Sequence, residues 1–215
     1  TFINVLITAL FAYPLSLKYL PGRKVWNFYV FFTMLFSGGL IPSYMMWSTT
    51  FHIKDTVFAQ IVPTLLMSAM NVLLVRTYFA TSIPDALFEA AQIDGASQLT
   101  IFRSIVIPLG KPILVTVGTF AALGYWNDWT NGLYYITKAT NLFGIQNLLN
   151  RMVSDLQFLS QNASGLSTDA TQMLAKTPTT AVQMAIAFVA ILPILILFPF
   201  LQKYYSKGIS LGAVK

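Results

Sequence analysis

The chain has 215 residues, 56% of them apolar and only 9% charged, with a mean hydropathy of +0.66. Soluble domains run at roughly 45–50% apolar and about 25% charged, so there is too little polar surface here to coat a water-soluble globule. Cys is absent and His52 is the only histidine, which excludes a disulfide framework, a thiolate metal site and a His-based metal cluster within the chain. The net charge of +6 comes from 13 Lys and Arg scattered among apolar runs. That scatter suits the loops of a membrane protein and gives no reason to expect nucleic acid. No G-x-x-x-x-G-K-[ST] loop is present, so no ATP site of that type is expected.

Five apolar windows approach or reach the roughly 20 residues that a membrane-spanning helix needs: about 2–17, 25–47, 57–78, 113–135 and 181–201. The expected fold is all-α, a polytopic transmembrane helix bundle forming a single domain over 1–215. Pro14 would kink the first window, which neighbouring helices tolerate. Gly38, Gly39 and Pro42 predict a bend or local unwinding in the second, either for close helix packing or as a substrate-lining break. Placing the loop that carries Lys18, Arg23 and Lys24 on the inside puts nine basic residues there and leaves Lys54, Lys138, Arg151 and Lys176 outside. The positive-inside rule then sets the C-terminus in the cytoplasm. Arg76 is expected to snorkel to the inner surface, and His52 to be a solvated residue of an outer loop. Thr1 lies already within an apolar run, which leads to the expectation of one more helix upstream.

Two connections are long. The outer one, about 137–177, contains IQNLLNRMVSDLQFLSQ, whose apolar residues recur at helical spacing. It reads as an amphipathic helix that lies in the interface, caps the bundle or docks a partner. Asn162-Ala163-Ser164 within the following polar stretch matches a glycosylation sequon.

The inner connection, about 81–110, reads TSIPDALFEAAQIDGASQLTIFRSIVIPLG. Ser82 and Asp85 have the spacing of a capping box, with Pro84 in the first turn. A short helix over 84–93 is expected, with Ala86, Leu87, Ala90 and Ala91 as a small-residue face. Asp94-Gly95 ends it, because Gly accepts the left-handed conformation that closes a helix. Ser97 starts a second helix through 107, with Ile101, Phe102, Ile105 and Val106 as its apolar side. The product is a stiff helix-turn-helix that projects from the lipid.

In the fourth window, Trp126-Asn127-Asp128-Trp129 combines rings that stack on sugar faces with groups that hydrogen-bond hydroxyls. It suits a substrate path. It equally suits an interfacial aromatic belt in which Asp128 caps or breaks a helix.

The stretch EAAQIDGASQLTIFRSIVIPLGKP resembles the EAA loop of ABC importer permeases, with Glu89, Ala90, Ala91, Asp94, Gly95, Ala96, Ile105, Pro108 and Leu109 matching. SIPDALFEAAQIDGAS, GYWNDW and the C-terminal YYSKGISLGAVK resemble the maltose-type carbohydrate branch of that family. MLFSGGLIPSYMMW and the long outer loop are similar to the subgroup handling complex or acidic oligosaccharides. The family's first helix has no counterpart here, in line with the expected upstream segment.

The resemblance implies a multi-pass permease subunit of a bacterial-type cytoplasmic membrane, with membrane lipid around it. It implies a second homologous permease, two ATPase subunits and an extracytoplasmic solute-binding protein as partners, with an oligosaccharide as cargo. ATP and Mg would sit on the ATPase, so no cofactor belongs to this chain and no catalysis. Glu89, Ala90, Ala91, Asp94, Gly95 and Ala96 would form the coupling element, with Glu89 contacting the ATPase and Gly95 making the turn. On residue pattern alone, Glu89 is equally a solvated side chain and Gly95 an ordinary helix end. The rivals are an importer for another solute and a secondary transporter, which would want intramembrane carboxylates that the central windows almost lack.

Overall fold

The computed structural model describes residues 1–161 and 184–196, together with 181 and 199. Among the described residues the regular elements are all helices: α1 (Phe2–Ser16), α2 (Arg23–Leu35), α3 (Leu40–Met45), α4 (Phe58–Ile61), α5 (Ala69–Ser82), α6 (Asp85–Ile93), α7 (Gln98–Ile101), α8 (Ile107–Leu109), α9 (Lys111–Asn127), α10 (Thr130–Tyr135), α11 (Ile145–Gln161) and α12 (Met184–Ile196). Wider π-type turns at Met46–Thr50 extend α3, and others at Phe102–Val106 join α7 to α8 in one rod. The sequon, the polar stretch after it and the C-terminal motif lie outside the described residues.

α1 is the central post. It packs along α5 and against α9, and Ala9, Ala12, Val72, Val75 and Val117 are buried at the contact. Small and β-branched residues let these helices approach closely, which is how helices associate where lipid offers no hydrophobic contrast.

No single described helix is long and apolar enough to cross a membrane by itself. Two apolar helix pairs are bent instead: α2 and the α3 rod meet at 107°, and the α7–α8 rod and α9 at 79°. The first bend was expected; Gly39 makes it at φ +85°. The third window, expected as one span, and the fourth, where Asp128 was a candidate helix break, are also broken. Residues 62–68 separate α4 from α5, where Pro63 lacks an N–H and Thr64 takes φ +62°. Asp128 and Trp129 separate α9 from α10, Asp128 being extended at ψ 117°.

The break at residues 62–68 leaves backbone carbonyls to be met, and side chains from other elements take them up. Tyr125 Oη donates to the Ile61 carbonyl at 3.0 Å, Asn131 Nδ2 to that of Pro63 at 3.0 Å, and Asn4 Nδ2 to that of Leu65 at 2.7 Å. At the other end of α1, Arg23 Nε and Arg76 Nε both donate to the Leu15 carbonyl, at 3.2 and 3.3 Å. Arg76 therefore caps α1 from a half-buried position and does not reach out to the surface as expected. A cation at a helix C-terminus also complements the macrodipole.

The end of the bundle away from this cap is closed by Asp55, a non-glycine residue at φ +58°. Its carboxylate accepts the N–H groups of Thr137, Lys138 and Ala139 at 2.7, 2.8 and 3.2 Å, and the Thr137 hydroxyl at 3.0 Å. The N–H of Lys138, that of Thr137 and the other donors hold the carboxyl far below the ordinary carboxylate range, against a smaller opposing effect of desolvation. His52 is exposed in the same loop, as expected. The predicted amphipathic helix is present as α11, whose Asn147 is buried against α10 and donates to the Trp129 carbonyl at 2.8 Å.

Gly110, at the joint of the α7–α8 rod with α9, leaves no room for a side chain. A methyl group there would stand 2.5 Å from Phe79 Cε1 and 2.7 Å from the Val106 carbonyl oxygen. Gly110→Ala should cost about 1–3 kcal/mol by overpacking and lower the thermal midpoint of the purified protein. Gly124→Ala, whose methyl would meet Leu65 Cδ2 at an ordinary 3.7 Å, is the neutral control. Equal midpoints for the two variants would refute the tight joint.

Asp55 sets a pH dependence. Its folded-state pKa lies below the unfolded value of about 3.9, so its contribution is complete above that value and is lost as pH falls toward the folded one. Hydrogen exchange at the Thr137, Lys138 and Ala139 amides should be insensitive to this group near neutrality and lose protection in acid. Asp55→Asn keeps the left-handed backbone accessible and removes the charge. It should speed exchange at these three amides severalfold at neutral pH, and unchanged protection would count against the carboxylate as the tie.

Candidate functional site

The 81–110 connection is a helix-turn-helix, but it starts differently from the expected capping box. Ser82 belongs to the last turn of α5, and Ile83 is extended at ψ 117°, as the residue before a proline tends to be. Pro84 is the N-cap of α6, and Asp85 places a carboxylate in the first turn, where the helix dipole favours it. Asp85 also pairs with Lys18 in the α1–α2 connection.

The turn after α6 closes as a double-bonded C-cap. Gly95 sits at φ +73°, its N–H donates to the Gln92 carbonyl at 3.0 Å, and the Ala96 N–H donates to that of Ala91 at 2.9 Å. These are the two bonds of a Schellman motif. Ser97 then caps α7 as expected, its hydroxyl accepting the Thr100 N–H at 3.2 Å. The expected apolar side of the second helix is largely buried, with Ile101, Phe102 and Val106 in the core.

The small-residue face of α6 divides in two. Ala86 stands three and four residues before Glu89 and Ala90, and Ile93 four and three residues after them, so the four form an outward stripe, with Ile93 87% exposed. Ala91 and Ala96 turn inward against the core, beside Phe88, which is 7% exposed. Of the six residues expected to act together, Glu89 and Ala90 are thus presented outward, Asp94 and Gly95 form the exposed turn, and Ala91 and Ala96 seat it. A cavity of about 530 Å³ lies behind the stripe, lined by Lys18, Tyr19, Phe79, Asp85, Phe88 and Glu89 among others.

Trp126, Asn127, Asp128 and Trp129 lie at the α9–α10 break, and the structure assigns three of them packing duties. The Trp126 indole donates to the Ala190 carbonyl of α12 at 3.1 Å. Asp128 Oδ1 accepts the N–H groups of Thr130 and Asn131, at 3.2 and 3.3 Å, and the Thr130 hydroxyl at 2.7 Å, so it caps α10. The Trp129 carbonyl holds Asn147. The Asn127 side chain and the Trp129 ring remain exposed. The two candidate regions sit at opposite ends of α1, one by Tyr13 and the other by Asn4.

Sequence reading missed the polar residues that service the broken backbone, although Asn4, Tyr125 and Asn131 inside apolar windows were a visible signal. It also missed Tyr13, Tyr19, Gln92 and Gln98, which converge behind the turn. Nothing in the sequence connects positions 79 apart.

Comparison with known proteins agrees in family and in fold. Residues 2–211 match the model of the binding-protein-dependent transport system inner membrane component. The chain is 36% identical to the polygalacturonan/rhamnogalacturonan transport system permease protein YtcP of Bacillus subtilis, over 100% of this chain and 72% of that one. It is 34% identical to the protein LplC of the same organism, over 100% of this chain and 70% of that one. Among solved structures, a bacterial ABC transporter involved in the import of the acidic polysaccharide alginate superposes with a TM-score of 0.73 at 28% identity. That match covers 94% of this chain and 73% of the other. The family model covers nearly the whole chain and the relatives agree with it, so the chain belongs to the family of binding-protein-dependent inner membrane transport permeases.

Proposed function

We propose that the chain is the permease subunit of an ATP-driven importer of oligosaccharides, acidic ones among them, and that α6 with the turn at Gly95 is its coupling element. The observation that carries the coupling reading is the outward stripe Ala86, Glu89, Ala90 and Ile93 beside a turn closed by two backbone bonds. A partner that pushes on a helix needs small residues for close approach, a charge for register and a mount that does not yield. The names of two relatives, one for polygalacturonan and rhamnogalacturonan and one for alginate, support acidic saccharides as cargo.

In this reading the 81–110 loop faces the cytoplasm and seats in a cleft of a partner ATPase. ATP is hydrolysed there, and this chain contributes no catalytic step. Closure of the ATPases displaces α6, and the bundle, paired with a second permease, alternates between inward-open and outward-open states. A solute-binding protein delivers cargo at the α11 end. An importer for a neutral sugar or another solute uses the same parts, so uptake assays across trigalacturonate, maltotriose and an amino acid decide the cargo class.

The substrate path at the second break rests on Asn127 and Trp129, since the Trp126 indole and the Asp128 carboxylate are taken up in packing. Loss of one stacking ring, about 1 kcal/mol, should lower uptake about fivefold in Trp129→Ala with assembly intact. Trp126→Ala should in addition loosen α12 and lower the thermal midpoint. Normal uptake by Trp129→Ala would take this stretch out of the path.

Coupling has its own test. At φ +73°, with no atom of the described residues beyond its chain neighbours within 4 Å of a side chain's first carbon, Gly95 is sensitive to torsion and not to space. Gly95→Val should cost about 1–2 kcal/mol at the turn and re-aim α7. Glu89→Lys reverses the one charge of the stripe. Both variants should remain in the membrane while ATPase co-purification, substrate-stimulated ATP hydrolysis and uptake fall together. Wild-type co-purification and uptake in both would refute the assignment.

A further inference from the structure

We propose that Tyr19 is a positioning residue that fixes the angle between the two arms of the 81–110 loop and ties both arms to α1. The proposal rests on reading this loop as the coupling element. Tyr19 lies in the short connection between α1 and α2. Its hydroxyl accepts a hydrogen bond from Gln92 Nε2 at 3.1 Å, in the last turn of α6, and from Gln98 Nε2 at 3.2 Å, at the start of α7. It also lies 3.4 Å from Gln98 Oε1, as a donor to it. Gln98 Oε1 takes a stronger bond, at 2.7 Å, from the hydroxyl of Tyr13 on α1.

Gln92 and Gln98 stand on either side of Gly95. Apart from its chain neighbours, no atom of the described residues lies within 4 Å of where a side chain on Gly95 would begin, so none of them supports the apex of the turn laterally. One phenolic oxygen reaches both arms from behind and meets each through a planar amide. Phe88 and Phe102 hold the arms by burial against Tyr13, with ring centroids at 6.4 and 5.3 Å, but such contacts leave rotation about the rings open. The convergent hydrogen bonds close that freedom. The Lys18–Asp85 pair joins the same connection to α6 but reaches only that arm, whereas the Tyr19 hydroxyl meets both.

The sequence has no cysteine, which allows paired spin labels at Phe2→Cys and Ile93→Cys in the full transport complex assembled with cysteine-free partner subunits. Both sites are exposed and far along different elements. Without nucleotide, the unsubstituted chain should give one narrow distance distribution. Tyr19→Phe and Gln98→Leu should each broaden it at least twofold, and Lys18→Ala should leave it narrow. A Tyr19→Phe distribution as narrow as the parent, with or without a lower thermal midpoint, would overturn the proposal and leave Tyr19 at most a stabilising residue. Broadening by Lys18→Ala equal to that of Tyr19→Phe would also overturn it, making the brace ionic. The underlying coupling reading is read separately from the mobility of the Ile93 label. Omitting the ATPase subunits should raise that mobility; if it does not, the coupling reading fails while the width comparison still decides the role of Tyr19.

Discussion

Lipid offers no partner to a backbone carbonyl, and this one constraint organises the bundle. An unbroken helix satisfies its own carbonyls, whereas a broken one needs donors from elsewhere. This chain breaks its apolar helices repeatedly, and around residues 61–65 it supplies a donor from each of three other helices: Asn4 of α1, Tyr125 of α9 and Asn131 of α10. The same device operates at the other end of α1, where two guanidinium groups meet the Leu15 carbonyl. The donors bind the breaks to α1, α9 and α10, so a displacement of any one of these helices is felt at residues 61–65.

The arrangement is not fully saturated. Asn4 Oδ1, Thr8 Oγ1 and Asn147 Oδ1 are buried and lack a partner among the described residues. Each such group costs about 1–3 kcal/mol relative to a satisfied one. Asn4 and Thr8 lie one turn apart on α1, on the face that meets the break. A bundle meant to hold a single shape would gain by replacing them with apolar residues.

Much of the architecture is legible in the sequence because it follows from local rules. Length and composition give the apolar windows, helical spacing gives the presence of α11, and Asp94-Gly95-Ala96-Ser97 gives the end of one helix and the cap of the next. The break at residues 62–68 was not foreseen, since a hydropathy window averages over it and a single Pro63 is tolerated in many membrane helices, whereas the break at Asp128 was one of two readings of that stretch. Arg76 was expected at the surface because snorkelling is the default for a lone cation near a helix end. Its attachment to Leu15 depends on where α1 stops, which is tertiary information. The division of the α6 alanines into outward Ala86 and Ala90 and inward Ala91 likewise needs the docking of Phe88, and spacing alone does not say which face is which.

The energetics of the 81–110 loop separate what holds it from what aims it. Burying a Phe side chain is worth about 1.5–3 kcal/mol, so Phe88 and Phe102 against Tyr13 supply most of the adhesion. The exposed Lys18–Asp85 pair adds about 0–1 kcal/mol, and each neutral hydrogen bond at Gln92 or Gln98 a net of about 0.5–1.5. By magnitude the rings win, and a loop held by rings alone would still adhere. Adhesion is not sufficient for transmission, however. A push on Ile93 at the tip of α6 reaches α1 undiminished only if α6 cannot roll on Phe88, and rolling changes little buried area. Directional bonds weak in free energy but strict in geometry stop it. Under the proposed coupling role, the polar residues behind the turn would bear on transmission out of proportion to their share of stability, with the backbone bonds at Gly95 keeping the two arms together.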